Sequence, residues 1–172
     1  MNEGIIYTGV PSAEELASCP GVPSEERMKK GRVAVIECVQ QIPCNPCEGA
    51  CPAHAIKIGA EITNLPCIEE DKCTGCGMCV AQCPGLAITI INKGYSETES
   101  TIDFPFEYIP LPNKGDVVDA VSRGGEPVCK GRILSVKKVP AFKGTAVVSM
   151  AIPKEFADEV RSMKRLPRKE VQ

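Results

Sequence analysis

The chain has 172 residues, of which 43% are hydrophobic and 24% charged, and its 11 cysteines outnumber its aromatic residues. This composition is typical of a globular protein and excludes extended disorder, a collagen helix and a long coiled coil. The net charge is −2, but the acidic excess lies in residues 1–127 and the basic excess in residues 128–172. With so few aromatic rings, we expect thiols to organise part of the interior.

A membrane-spanning helix needs about 18 or more consecutive apolar residues, and the sequence contains no such run. The first residues also lack the basic segment and apolar stretch of a secretory signal. We therefore expect a cytoplasmic protein without membrane contact. Thiols stay reduced in that compartment, so clustered cysteines indicate metal or redox chemistry rather than disulfide bonds.

Residues 1–32 have the pattern of an N-terminal arm with short helices. Ser12 and Glu15 form the capping-box pattern that starts a helix, while Ser24 and Gly31 are suited to start and end another. Because both helices are brief, we expect the arm to lie against the rest of the chain or against a partner.

Residues 33–92 contain nine of the eleven cysteines and no aromatic residue. A segment of this size and composition needs a metal or a disulfide to fold. A shift of 32 positions superposes its two halves, and each half reads as strand, cysteine loop, helical turn and strand, which predicts a pair of β-α-β units. The superposed residues are Cys44 with Cys76, Cys47 with Cys79, Cys51-Pro52 with Cys83-Pro84, Ala55-Ile56 with Ala87-Ile88, and Ile58 with Ile90.

Residues 93–115 are predicted to be a linker, because prolines and glycines interrupt them throughout. Residues 116–166 then show the alternation of apolar and polar side chains that is typical of strands. Three such stretches predict a small antiparallel meander, with Gly124-Gly125 and Gly144 at its turns.

The end of this β domain is predicted to be a helix. Pro153 is placed to open it, and Phe156, Val160 and Met163 would lie on one of its sides. Residues 167–172 would form a tail. The predicted fold class is α+β: a cysteine-rich domain with pseudo-two-fold symmetry, followed by a small antiparallel β domain closed by the C-terminal helix.

The second cysteine motif carries the most specific chemical signal. Cys73, Cys76, Cys79 and Cys83-Pro84 form a C-x2-C-x2-C-x3-C-P run, in which a tight loop can surround an iron–sulfur cluster while backbone N–H groups approach its sulfides. A zinc ribbon is the main alternative, but it uses paired C-x2-C knuckles and has no need of this ladder.

The motif resembles that of the bacterial-type ferredoxins with two 4Fe-4S clusters, over about residues 33–92. The resemblance implies a ferredoxin-like two-cluster domain with pseudo-two-fold symmetry. The resemblance implies that the fourth cysteine of each motif binds the other cluster. The first motif departs from the family because Gln41 occupies the position equivalent to Cys73. Either Cys38 supplies the missing ligand across a three-residue insertion, or the first site holds a three-iron cluster or none. We favour Cys38, because it lies at the end of the predicted apolar strand Val33 to Ile36, directly before the loop.

Two ligand sets follow from this resemblance, and they account for eight thiols. Cys38, Cys44, Cys47 and Cys83 would bind one cluster; Cys73, Cys76, Cys79 and Cys51 would bind the other. Cys19, Cys67 and Cys129 are interpreted as ordinary side chains. His54 is interpreted in the same way, with a role in tuning a cluster as the alternative.

No other pattern in the sequence indicates a catalytic site. One histidine and the absence of nucleotide-binding or nucleophile motifs leave one-electron transfer as the available chemistry. We therefore expect the chain not to be an enzyme by itself. Nucleic-acid binding by the basic C-terminal part is disfavoured, because its lysines alternate with apolar strand residues and lack interleaved aromatic rings.

A closer resemblance comes from the stretch Ile36 to Glu48, from Pro84 to Ile88, and from Val147 to Glu155. These segments are similar to the small ferredoxin subunit of flavin-dependent dehydrogenases of the proline or hydroxyproline type. The resemblance implies a hetero-oligomer with flavoprotein subunits, in which FAD or FMN is carried only by the partners and this chain relays electrons. A stand-alone ferredoxin and a zinc-stabilised interaction module are the alternatives.

Overall fold

A computed structural model of the protein describes residues 3–168. Three short helices form the N-terminal arm: α1 (Ile5–Thr8), α2 (Ala13–Ala17) and α3 (Glu25–Lys30). The capping box of α2 is confirmed, because the Ser12 hydroxyl accepts from the Glu15 N–H and the Glu15 carboxylate accepts from the Ser12 N–H. Most of the predicted tail lies outside the described residues.

The cysteine-rich region, residues 33–92, has short elements with pseudo-symmetric pairing. They are β1 (Val33–Ile36), α4 (Pro46–Ala50), β2 (Ile56–Lys57), β3 (Cys67–Ile68), α5 (Met78–Gln82) and β4 (Ile88–Asn92). The outer strands β1 and β4 pair in antiparallel fashion, as do the inner strands β2 and β3. The predicted order of strand, loop, helical turn and strand is therefore present in both halves.

The long elements of the second part of the chain, within the described residues, are all strands. They are β5 (Glu99–Phe106), β6 (Val117–Ser122), β7 (Pro127–Lys137), β8 (Ala146–Pro153) and β9 (Val160–Met163). The predicted meander is confirmed, since β6, β7 and β8 pair in sequence with antiparallel registers. However, it is part of one curled sheet of seven strands, ordered β1-β4-β5-β8-β7-β6-β9, which includes both outer strands of the cysteine-rich region.

The prediction of a linker over residues 93–115 is wrong for its central part, which forms β5. Ile102, Phe104 and Phe106 alternate along this strand and are buried in the core, so a strand signal was present beneath the proline pattern. Pro105 is tolerated because β4 pairs with β5 only as far as Asp103. Beyond that point this side of β5 is an edge, where a missing N–H breaks no ladder hydrogen bond.

The prediction of a C-terminal helix is also wrong. A 3-10 turn (Lys154–Phe156) follows β8, and the chain then forms β9 against β6. The spacing of three between Val160 and Met163 resembles a helix, but the pairing with β6 shifts by one residue between them. Such a bulge turns both side chains to the same face of a strand, and both are buried.

The first and last strands of the sheet are joined by an ion cluster that is largely shielded from solvent. Glu37, at the end of β1, accepts hydrogen bonds from Arg123, at the end of β6, and from Arg161 in β9. Burial opposes the ionisation of Glu37, but the hydrogen bonds and charges of the two arginines outweigh it and lower its pKa. Over residues 3–168, no helix has the length and apolar character needed to cross a membrane.

Candidate iron-sulfur sites

Two cavities in the cysteine-rich region are each lined by four cysteines. Their volumes are about 380 and 300 Å³, including the space that opens to solvent. The first cavity is lined by Cys38, Cys44, Cys47 and Cys83. The second cavity is lined by Cys51, Cys73, Cys76 and Cys79. The structure thus brings all eight sequence-predicted ligands together in two groups of four.

The strands β1 and β4 provide the shared wall of both cavities. Ile36 and Ile88 line the first cavity, and Ala34 and Ile90 line the second. Side chains two residues apart in a strand point to the same face, so one face of this strand pair serves both groups of cysteines. The wall is apolar and buried, which keeps water from that side of each cavity.

The two short helices explain how the cysteine motifs interleave. Cys47 in α4 and Cys79 in α5 are buried and face the cavity of their own motif. Cys51 and Cys83 occupy the C-cap positions of these helices. At the C-cap the backbone leaves the helical path, and each of these cysteines lines the cavity of the other motif.

The loop that carries Cys73 and Cys76 is held against the N-terminal arm by two arginines. Arg27 donates to the Cys73 carbonyl at 2.8 Å, and Arg32 donates to the Gly75 carbonyl at 3.0 Å. Arg32 also pairs with the buried Asp103 at 2.6 Å. Gly75 has φ of +64°, and a Cβ at this position would lie 2.5 Å from the Cβ of Arg32. The close approach of loop and arm therefore requires glycine here.

Backbone N–H groups are directed at two of the cysteine sulfurs. The Ala34 N–H donates to Cys73 Sγ at 3.4 Å, and the Ala55 N–H donates to Cys51 Sγ at 3.3 Å. Hydrogen bonds of this kind stabilise negative charge on sulfur and raise the potential of a bound cluster. Both sulfurs belong to the second group.

Grouping these thiols disfavours their ionisation. Burial, followed by the nearby Cys83 thiolate, raises the pKa of Cys47 to about 11. Burial and then the neighbouring Cys73 and Cys76 raise the pKa of Cys79, and burial together with Cys83 raises that of Cys38. Four thiolates around one cavity repel one another, so such a group becomes favourable only when a cationic centre compensates their charge.

Cys38 and Gln41 occupy different positions relative to the first cavity. Cys38 lines the first cavity, whereas Gln41 does not. The sulfur of Cys19 lies directly beside this turn, and its thiol donates to the carbonyls of Ile36 and Cys38 at 3.3 and 3.6 Å. The sequence contained no signal for this contact, because Cys19 belongs to the N-terminal arm.

The other candidate residues lie outside the two groups. Cys67 is exposed in β3, Cys129 lies in β7, and His54 is exposed with φ of +50°. Sequence reasoning missed the charged residues that hold the second loop, because a charged residue beside a strand carries no distinctive pattern. They are Arg27 and Arg32, which contact the loop, and Asp103, which pairs with Arg32. Asp103 also lies in the predicted linker, so the sequence provided no reason to expect it in the core.

Neither cysteine group is spaced as the site of one metal ion. In residues 3–168, no three His, Cys, Asp or Glu side chains are arranged to hold a single ion. A 4Fe-4S cluster has a different requirement, because each of its four thiolates binds a different iron and the ligands surround a larger centre.

Comparison with known proteins gives a family for the second motif. Residues 66–89 match the family described as 4Fe-4S binding domain. This segment is of the iron–sulfur, ferredoxin type. No solved structure matches the chain.

Several curated relatives are similar to parts of this chain. Ferredoxin-type protein NapF of Haemophilus influenzae is 39% identical over 34% of this chain and 35% of its own length. The polyferredoxin-like subunit of the aliphatic sulfonate oxidoreductase of Pyrococcus furiosus is 46% identical over 28% of this chain and 27% of its own. Protein Pixie of Drosophila melanogaster is 31% identical over 59% of this chain and 19% of its own. The chain thus spans about a third or less of these relatives.

Proposed function

We propose that the chain is an iron–sulfur electron-transfer subunit of an oxidoreductase complex and that it relays single electrons through two 4Fe-4S clusters. The observation that carries the proposal is the interleaving of two cysteine groups around two cavities. Cys38, Cys44, Cys47 and Cys83 would bind one cluster; Cys51, Cys73, Cys76 and Cys79 would bind the other. Such clusters supply reversible one-electron transfer when bound.

The residues around the thiols have supporting roles in this function. Arg27 and Arg32 fix the second cysteine loop through its carbonyl groups. The N–H groups of Ala34 and Ala55 stabilise charge on two sulfurs. The aliphatic wall of β1 and β4 excludes water from one side of both cavities. Each of these effects limits the reorganisation that accompanies a change of charge and thereby favours rapid electron transfer.

The proposed partners are flavoprotein subunits in a hetero-oligomeric amino-acid or imino-acid dehydrogenase. Two observations support a place in a complex: the polyferredoxin-like relative is named as a subunit of an oxidoreductase, and the chain devotes seven strands to a sheet that extends well beyond the cysteine-rich region. The dehydrogenase type rests on the sequence resemblance alone. A ferredoxin that diffuses freely is the competing function.

Anaerobic purification of the chain from its native host tests the proposal. The preparation would be analysed for iron, acid-labile sulfide, zinc and flavin, and the co-purifying chains would be identified by mass spectrometry. We expect about eight iron and eight sulfide per chain, together with stoichiometric flavoprotein subunits. The same iron and sulfide content in a monomer would favour the free ferredoxin, and zinc without sulfide would overturn both functions.

A further inference from the structure

Residues 19–22 of the N-terminal arm lie against the first cysteine group, between the short helices α2 and α3. We call them the arm segment. Most residues of the two helices are exposed, but in the arm segment Cys19 is only 6% exposed and Gly21 is buried. Val22 packs against the hydrophobic core. The arm segment is therefore an internal part of the fold.

The arm segment bridges two walls of the first cysteine cavity. On one side, the Ile36 N–H donates to the Gly21 carbonyl at 2.9 Å, and Ile36 lines the cavity. On the other side, the Ile68 N–H donates to the Pro20 carbonyl at 3.2 Å. Pro66, two residues before Ile68, also lines the cavity. The arm segment thus connects the end of β1 with β3, and its position sets the spacing of these two walls.

The fit between the arm segment and these walls leaves no room for a side chain. A Cβ on Gly21 would lie 2.6 Å from the Ile36 carbonyl oxygen and 3.0 Å from the Pro66 carbonyl oxygen. Both are backbone atoms, so they can yield only if the chain on one side of the arm segment moves. Gly21 does not have a positive φ. Close approach, rather than backbone conformation, therefore requires glycine at this position.

The thiol of Cys19 acts on the backbone of Cys38. It lies 3.3 Å from the Ile36 carbonyl and 3.6 Å from the Cys38 carbonyl, and its single hydrogen is shared between them. Cys19 does not line the first cavity. In the second motif, Arg27 of the same arm donates to the carbonyl of Cys73. In each motif the arm thus contacts the carbonyl group of the first candidate ligand.

Cys38 depends more on such an external contact than Cys73 does. Five residues separate Cys38 from Cys44, whereas two residues separate Cys73 from Cys76. Residues 37–45 contain no helix or strand. A longer loop without secondary structure restricts its ends less, so the first motif by itself leaves the position of Cys38 poorly defined.

We propose that the arm segment positions Cys38 as a ligand of the first cluster and that Gly21 and Cys19 are its positioning residues. Gly21 holds the end of β1 at a fixed distance from β3, and Cys19 orients the turn that carries Cys38. Cys19 donates its thiol hydrogen to the backbone and forms no bond to iron. The inference rests on the proposed function, because it requires a cluster for Cys38 to bind.

The decisive variant is Gly21→Ala, and Gly49→Ala is its matched control. Gly49 lies between Cys47 and Cys51, and a Cβ added there would meet no other part of the chain within 4 Å. Both variants add one methyl group. Cys19→Ala and Cys19→Ser test the thiol, since serine keeps a hydrogen-bond donor and alanine does not.

The measurement is the rate at which each cluster is lost in air from the purified, iron-loaded full chain. Samples are reduced and their EPR signals recorded over time, and the signal of the first cluster is identified as the one that Cys38→Ala lacks. The second cluster of the same molecule is the internal control. Denaturant unfolding records any general loss of stability.

We expect Gly21→Ala to speed the loss of the first cluster by about tenfold or more, because the added methyl group displaces backbone. The second cluster should be lost at a rate within about twofold of wild type, and Gly49→Ala should leave both rates similarly unchanged. Cys19→Ala should speed the loss of the first cluster by about threefold, since a thiol is a weak donor. Cys19→Ser should restore the wild-type rate.

Equal acceleration for both clusters in Gly21→Ala, or unchanged rates, would overturn the positioning role of the arm segment. A first cluster as labile in Cys19→Ser as in Cys19→Ala would overturn the role of the thiol. Should Gly21→Ala not fold, the two Cys19 variants decide. A wild-type chain that carries no cluster would instead overturn the proposed function, and this inference with it.

Discussion

The cysteine-rich region and the β region, residues 99–163, are held together in different ways. In the cysteine-rich region β2 and β3 pair through only two residues each, and its two helices have five residues each. In the β region, β5 and β8 pair over eight consecutive residues. Long hydrogen-bonded ladders and alternating apolar side chains can stabilise a fold without a bound metal centre. Short elements cannot, so the cysteine-rich region depends on what its thiols bind.

The two regions are nevertheless parts of one sheet. The strands β1 and β4 extend the sheet of the β region through the pairing of β4 with β5. One face of the same two strands forms the wall of both cysteine cavities. The β region therefore provides a template on which the loops of the cysteine-rich region are arranged. We therefore expect the two regions to respond differently to loss of iron.

Removal of iron should have the largest effect, and it should be confined to one region. After anaerobic chelation, we expect amides in α4 and α5 to exchange hydrogen at nearly the rate of an unstructured chain, while amides in β5 and β8 remain protected. Hydrogen exchange followed by mass spectrometry measures both. An equal loss of protection in β8 would show that the β region has no independent stability.

Cys38→Ala should remove one of the two clusters. We expect the iron content to fall from about eight to about four and one of two reduced-state EPR signals to disappear, because the first site loses a thiolate. Cys67→Ala is the matched control, since Cys67 is exposed and lines neither cavity. A complete two-cluster spectrum in Cys38→Ala would disprove its assignment as a ligand.

Glu37→Gln should weaken the ion cluster that connects the two regions. The change leaves Arg123 and Arg161 without their carboxylate, so the free energy of unfolding should fall by about 3–5 kcal/mol. The pKa of Glu37 is lowered from 4.5, so its stabilisation is complete above that pH and is lost only as the pH falls below it. The difference between wild type and variant should therefore be constant from pH 6 to 8.

The control for Glu37→Gln is Glu97→Gln, because Glu97 is exposed and forms no ion pair within residues 3–168. It should change the free energy of unfolding by less than about 0.5 kcal/mol. Denaturant unfolding of both variants provides the comparison. A Glu37→Gln chain as stable as the control would mean that the ion cluster does not connect the two regions.

Asp103→Asn should have the smallest effect and should be local to the second cysteine group. Asp103 orients Arg32, which in turn holds the Gly75 carbonyl, so weakening this contact should cost about 1–3 kcal/mol and speed the loss of the second cluster in air. Asp71→Asn is the control, with the same change of charge near the same loop. Equal rates of loss in the two variants would argue against a positioning role for Asp103.

Local patterns made several parts of this fold predictable. The capping box from Ser12 to Glu15 and the strand Val33–Ile36 depend on neighbouring residues, and both were predicted correctly. The strand β5 was missed because Pro105 outweighed the alternation from Ile102 to Phe106. The strand β9 was missed because a bulge produced the spacing of a helix.

The sequence by itself determined the chemistry of the candidate site, because the type and spacing of cysteines in a motif are local properties. The tertiary structure decided how the two regions share a sheet and how the loops are held. Those contacts join residues far apart along the chain: Glu37 meets Arg161 across 124 positions, and Arg32 meets Asp103 across 71. No local pattern encodes such pairs. The first forms only when the curled sheet brings its first and last strands together, and the second forms only when β4 pairs with both β1 and β5.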